Sequence, residues 1–404
     1  MKRYRASWIL PISEPPIRDG WVAVDRGRIV ATGRRSANRS EPEIDLGDVA
    51  VLPGLVNAHT HLELSYLRDE VPPASQFVSW VRSVMAARRG QPDPAAPAIL
   101  EAVERGIDEA VRCGTAVVGD ISNTLVTFDP IARSPLAGVV FYELIRFNAP
   151  EPAGLVEQAV AEIAKLAVTD RVRASLAPHA PYSVAPLVFR AIRAAVNREP
   201  FLPYSVHVSE SMEEMEFIRS GEGPWRTLLE DVGAWDPAWV PPGDTPVKFL
   251  DDCGFLDGRL LAVHGVQTTT DDLRRLVEHD VTLVTCPRSN GHTGAGAPPI
   301  DDFYRSGVRI AVGTDSLASS PDLSVFAEIA TMRALAPGVP AAALLESATR
   351  VGACALGFEA DYGTIEAGRR ARLLLVDVPP LTADVEEYLV SGIQPEQVRW
   401  LSPD

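Results

Sequence analysis

The chain has 404 residues, 46% of them apolar, and a formal net charge of −16 with a pI near 5.0. This length and composition support one large α/β domain with a smaller companion, while the acidity excludes the basic footprint that nucleic acid or an anionic membrane requires. A small-molecule substrate is the expected partner, and the scattered Cys113, Cys253, Cys286 and Cys354 contain no C-x-x-C pair to suggest a disulfide framework or zinc knuckle.

Residues Met1 to Leu10 are charged and only briefly apolar, too short a stretch for a signal or membrane segment, so a cytoplasmic location is expected. From about Arg3 to Val51 the texture is short strands, Tyr4 to Leu10, Trp21 to Asp25 and Arg28 to Thr32, divided by glycine or proline. From Gly54 onward short apolar strands alternate with helical stretches. The strands are Leu52 to Ala58, Ala116 to Gly119, Leu136 to Leu144, Val172 to Leu176, Ser205 to Val208, Leu260 to His264, Thr282 to Thr285 and Arg309 to Val312. Helices are expected at Ala98 to Cys113, Gly154 to Ala167, Pro186 to Asn197, Ser211 to Ser220, Thr270 to Glu278 and Pro340 to Gly352, with loops near Gln91 to Pro97 and Trp235 to Pro246. After Gly363 the β texture returns. The pattern predicts an α/β fold: a (β/α)8 TIM barrel over residues 54–360 and a small β-sandwich domain made jointly by residues 1–53 and 361–404.

His59 and His61 close the first of the eight strands. Residues i and i+2 of a strand project to one face, so their imidazoles converge and suit a single metal ion. His207, His264 and Asp315 also close short β-type runs. In a parallel barrel these strand ends share the face that carries the chemistry, and five metal-capable side chains gathered there are hard to explain by packing.

These residues, framed by Pro53-Gly54 and Gly363-Thr-Ile-Glu-Ala-Gly368, resemble the amidohydrolase superfamily over nearly the whole chain. His207-Val-Ser-Glu210 is similar to the H-x-x-E of its mononuclear deaminase branch, which includes adenosine-derivative, guanine and cytosine deaminases and triazine chlorohydrolases. The strings His59-Thr-His-Leu-Glu-Leu-Ser65 and Cys286-Pro-Arg-Ser-Asn290 look most like aminodeoxyfutalosine deaminases of the alternative menaquinone pathway. Binuclear relatives bridge two cations with a carbamylated lysine after the fourth strand. Here that strand ends Ala174-Ser-Leu-Ala-Pro-His179, and the lysines are Lys2, Lys165 and Lys248, none at a barrel-strand end. The resemblance therefore implies one divalent ion on His59, His61, His207 and Asp315; this donor set suits zinc and also accepts iron.

The implied activity is hydrolytic deamination of a 6-aminopurine nucleoside derivative such as aminodeoxyfutalosine, with metal-held hydroxide attacking the ring carbon and ammonia leaving. Asp315 would also take the water proton, His264 would orient the water, and Glu210 would protonate a ring nitrogen. Glu210 has a rival role as an N-terminal carboxylate of the helix near Ser211. The alternatives are a guanine or triazine deaminase or a chlorohydrolase and, in another class, a metal-free non-enzymatic scaffold. A homodimer is a further expectation.

Substrate contacts are expected from residues near the same face. His179 would donate to a heteroatom or stabilise its loop. Arg146 and Arg288 would pair with a carboxylate or with surface acids, and Asn290 lies beside Arg288. Glu63 and Ser65 follow the metal histidines, and Glu63 would accept from ribose hydroxyls or cap the loop. Trp80 would wall a purine or join the core. His279 reads as a solvated helix end, and His292 lies in a glycine-rich loop.

Overall fold

The computed structural model describes residues 1–34, 43–199 and 202–402. The N-terminal segment forms β1 (Lys2–Ile9), β2 (Ile17–Asp25), β3 (Arg28–Arg34), β4 (Ile44–Asp45) and β5 (Val49–Pro53). Next come β6 (Leu55–Thr60), β7 (Thr115–Ser122), β8 (Ala137–Leu144) and β9 (Val172–Pro178). A further four, β10 (Tyr204–Val208), β11 (Leu260–His264), β12 (Thr282–Thr285) and β13 (Arg309–Val312), precede the C-terminal β14 (Leu373–Asp377) and β15 (Val398–Trp400).

The two chain ends meet in one seven-stranded mixed sheet, ordered β15-β14-β5-β1-β2-β3 with β4 beside β1. The strands expected to form a sandwich are thus hydrogen-bonded together, and the register Leu373↔Pro53 to Asp377↔Val49 is the link between the termini. Ile9, Val22, Ile29, Val51, Leu373 and Leu375 contribute to its core. The predicted strand from Leu52 to Ala58 is divided at Gly54: Leu52 pairs with β14, whereas Leu55 pairs with β7. A Cβ on Gly54 would lie 2.5 Å from the Ala116 Cβ. Glycine therefore lets the backbone pass closely from one sheet to the next.

The remaining eight strands form two parallel sheets, β6-β7-β8-β9 and β10-β11-β12-β13. The sheets touch at both borders. His207 N–H donates to the His179 carbonyl at 2.9 Å, while Thr314 and Asp315 N–H donate to the His59 carbonyl at 3.0 and 3.1 Å. Val56, Val117, Val139, Ala177, Leu261, Val284 and Ala311 belong to one apolar cluster, so the two sheets share a core. Burying that apolar surface is the main favourable term holding them together.

Proline opens several helices, including Pro97–Arg112, Pro152–Ile163, Pro186–Val196 and Pro224–Asp231. Its fixed φ suits the first helical turn, where the missing N–H has no intrahelical partner. Helices Phe77–Arg89 and Pro224–Asp231 were absent from the sequence-based assignment. Both line the cavity described next. Among the described residues no helix is long and apolar enough to cross a membrane.

Candidate active site and metal centre

His59, His61, His207, His264 and Asp315 converge at the C-terminal ends of the parallel strands. His61 Nε2 and His207 Nε2 are 3.3 Å apart, and Asp315 Oδ1 is 3.6 Å from His61 Nε2 and 3.9 Å from His59 Nε2. Potential ligand atoms of His59, His61 and Asp315 lie within 4.8 Å of one another, as do those of His59, His207 and His264. His59 is fully buried, and among the described residues neither of its ring nitrogens has a hydrogen-bond partner. Such an imidazole is costly unless something else engages it. Nitrogen lone pairs facing one carboxylate are the donor set of a divalent ion, so these residues fit one.

The supporting geometry fixes these donors. His207 Nδ1–H donates to the His179 carbonyl at 2.9 Å, which leaves the Nε2 lone pair toward the centre. Asp315 Oδ2 accepts from the Ser289 hydroxyl at 2.5 Å and the Ser319 hydroxyl at 3.2 Å, and Oδ1 accepts from Ser316 N–H at 2.8 Å. Gly313 makes room for this approach, because a Cβ there would sit 2.7 Å from the His59 carbonyl oxygen. His264 and Asp315 both have left-handed backbone, φ 77° and 57°. Such strain costs on the order of 1–3 kcal/mol per residue and persists where the surroundings over-determine it. Ser289→Ala is expected to lower metal affinity or turnover about 10–100-fold, measurable by ion competition and steady-state kinetics.

Burial lowers the pKa of all five clustered histidines: His59 well below its usual value, His207 below it, His61 and His264 to about 3, and His179 to about 4. They are neutral at pH 7 and offer lone pairs. Burial pushes Asp315 upward, but His61, His264 and the Ser289 hydroxyl hold it below the usual carboxylate value.

Glu210 follows β10, and its Oε1 lies 3.5 Å from His264 Nε2. Its rival role is taken by neighbours. Ser211 is the N-cap of helix Met212–Ser220, and Glu214 Oε2 accepts the Glu210 N–H at 2.8 Å. The Glu210 carboxyl instead lines a cavity of about 560 Å³, where burial and then the charge of Asp315 raise its pKa well above the normal range. Asn290 Nδ2 donates to His264 Nδ1 at 3.0 Å, which places the imidazole proton on Nε2, toward Glu210.

His179, Trp80 and Arg146 line this cavity, as do His61, His207, His264 and Asp315. Glu63, Ser65, Arg288 and Asn290 do not line it, contrary to their expected substrate contacts. Arg288 is held by Glu328 Oε1 at 2.6 Å and Asp322 Oδ1 at 2.8 Å, a local ion-pair network that occupies its guanidinium. Asn290 faces His264. Ser65 packs against the helix carrying Gly106, and Glu63 accepts from Ser122, Thr124 and Arg88. His279 Nε2 lies 3.1 Å from Asp251, and His292 Nε2 meets the Val71 carbonyl at 3.1 Å, both away from the cluster. Lys165 lies at the surface beside Glu162. Arg88, Asn123 and Glu143 line the cavity although the sequence reading did not select them. Glu143 stands at the end of β8, so the strand-end criterion that marked the histidines would have found it.

The sequence pattern of the amidohydrolase family matches residues 50–395. The chain belongs to the amidohydrolase family. Among its amidohydrolase relatives, an aminodeoxyfutalosine deaminase of Deinococcus radiodurans is 32% identical over 320 residues, 76% of this chain and 73% of the relative. A 5-methylthioadenosine/S-adenosylhomocysteine deaminase of Moorella thermoacetica is 30% identical over 408 residues, covering 95% and 88% of the two chains. An adenosine deaminase from Xanthomonas campestris, solved with bound zinc, superposes with a TM-score of 0.82 at 27% identity over 98% of this chain and 90% of that one. This amidohydrolase is accordingly an enzyme of the hydrolase class.

Proposed function

We propose that this amidohydrolase deaminates a 6-aminopurine nucleoside derivative, with aminodeoxyfutalosine the leading candidate. The observation that carries the reading is the convergence of His59, His61, His207 and Asp315 beside Glu210 and His264 in a cavity large enough for a nucleoside. The deaminase names of the relatives support it. We propose also that the parallel strands close as a (β/α)8 barrel over residues 54–360, beside a β-domain built from residues 1–53 and 361–404.

A divalent ion on His59, His61, His207 and Asp315, zinc by analogy with the Xanthomonas relative, would act as a Lewis acid that lowers the pKa of a water to about 7. Asp315, kept ionised by its neighbours, accepts a proton from that water. Glu210, kept protonated by burial, donates to a ring nitrogen and makes the adjacent carbon electrophilic. His264 Nε2–H, oriented by Asn290, hydrogen-bonds to the oxygen added at that carbon. The carbon–nitrogen bond then breaks, and the exocyclic amine leaves as ammonia with protons returned through the two carboxyls.

Ammonia release from adenosine, methylthioadenosine, S-adenosylhomocysteine, aminodeoxyfutalosine and guanine, together with chloride release from a chlorotriazine, tests this reading. The nucleosides are expected to react, with the last two inert; preferential turnover of guanine or the triazine would overturn it.

A further inference from the structure

The cavity wall carries a second polar array that the proposed chemistry leaves unused. Arg88, on helix Phe77–Arg89, and Glu143, at the end of β8, line the cavity with Asn123 between them. Arg88 Nη1 donates to Asn123 Oδ1 at 2.9 Å, and Asn123 Nδ2 donates to Glu143 Oε2 at 2.7 Å. Arg88 Nη2 also reaches Glu63 Oε1 at 3.3 Å, and Glu63 is anchored by the Ser122 hydroxyl at 2.7 Å and Thr124 N–H at 3.2 Å.

These bonds have a direction. Because Asn123 Oδ1 accepts from Arg88, the Asn123 amide N–H faces Glu143 and engages Oε2. Glu143 Oε1 is buried and, among the described residues, has no hydrogen-bond partner. His207 Nδ1 lies 3.5 Å from it, but that N–H already donates to the His179 carbonyl at 2.9 Å. A buried carboxylate oxygen left open is costly, so the arrangement calls for a donor from a ligand. Arg88 is partly exposed and carries five N–H groups, of which these bonds use two. An acceptor and a cationic donor therefore stand side by side, separated by one amide. That pattern matches hydroxyl groups, which donate and accept at the same atom.

We propose that Glu143 and Arg88 determine specificity by reading sugar hydroxyls of the substrate, Glu143 Oε1 accepting a hydroxyl proton and Arg88 donating to that hydroxyl or its neighbour. This rests on the nucleoside reading above and deepens it, since a bare heterocycle or a triazine has no such group. Asn123 makes Glu143→Gln a directed test. The new amide must turn its oxygen toward the Asn123 N–H, which presents an NH2 donor where an acceptor stood.

The experiment uses the metal-loaded enzyme. Calorimetry gives the affinities of inosine, 2′-deoxyinosine and 3′-deoxyinosine, and ammonia release gives kcat/KM for the corresponding adenosines. The wild type is expected to favour the ribo form over at least one deoxy form by about 10–100-fold. In Glu143→Gln this ratio collapses toward one with metal content unchanged. Arg88→Met changes a partly exposed residue and lowers the same ratio, while Arg88→Lys restores part of it. Equal affinity of the wild type for all three nucleosides, or a parallel loss for all three in Glu143→Gln, would overturn the proposal. Sugar discrimination in binding without any ammonia release would refute the proposed reaction and uphold the sugar site.

Discussion

Glu210→Gln is expected to lower kcat/KM by about 10²–10⁴-fold, the range for loss of a positioned proton donor, while the protein keeps its full complement of metal. Glutamine preserves the shape of the side chain but cannot hand a proton to a ring nitrogen. The role belongs to a carboxyl held in its acid form, and burial followed by the neighbouring Asp315 pushes Glu210 in that direction. Its Oε1 stands 3.5 Å from His264 Nε2, close to the proposed reaction centre yet outside the proposed ligand set. The wild-type rate falls as pH rises through the raised Glu210 pKa, and that limb disappears in the variant. Metal analysis with a pH–rate profile checks both outcomes. Near-wild-type turnover in the variant would remove Glu210 from the chemistry.

The second large effect follows from His59. Its two ring nitrogens, buried without hydrogen-bond partners among the described residues, have no evident structural duty except toward an ion. His59→Ala is expected to weaken ion binding by more than about 100-fold, exceeding the loss typical of an outer-sphere partner. Activity should fall with it. At an ion concentration of about 1,000 times Kd, binding stabilises the native state by about 4 kcal/mol. The wild type should therefore show a marked ion-dependent rise in Tm that the variant lacks, and an equal rise in both would exclude His59 from the site. Acid should act in the same direction. Folding lowers the pKa of His61 and His264 from 6.5 to about 3, so the unfolded chain binds more protons across that window. Ion-free protein should thus be most stable above about pH 6.5 and lose stability as pH falls toward 3, as urea titrations at several pH values would reveal.

The paired histidines and the apolar runs that end in His207, His264 and Asp315 are local patterns. A strand's two-residue period and the polar break that ends it are written in adjacent positions, so the parallel strands and the clustered side chains could be read directly. Gly54 shows where such reading fails. The run from Leu52 to Ala58 is continuous in sequence, yet its two parts join different sheets, and the close passage between them is open only because Gly54 lacks the Cβ that would meet Ala116, more than sixty residues away.

Arg288 and Glu63 stand off the cavity for the same reason, whereas His179, Trp80 and Arg146 line it. Arg288 looked available beside β12, but its partners Asp322 and Glu328 come from the segment after β13 and the helix Val325–Leu335. Glu63 seemed placed for a ligand, whereas Arg88, Ser122 and Thr124 surround it. By itself the sequence determined the acidic net charge, a sum over the whole chain, and the alternating strand and helix texture and the strand-end donors, which depend on near neighbours. The tertiary structure decided which polar groups face the cavity and which are paired behind its wall, because a hydrogen bond selects whichever partner folding brings within about 3 Å, however distant along the chain.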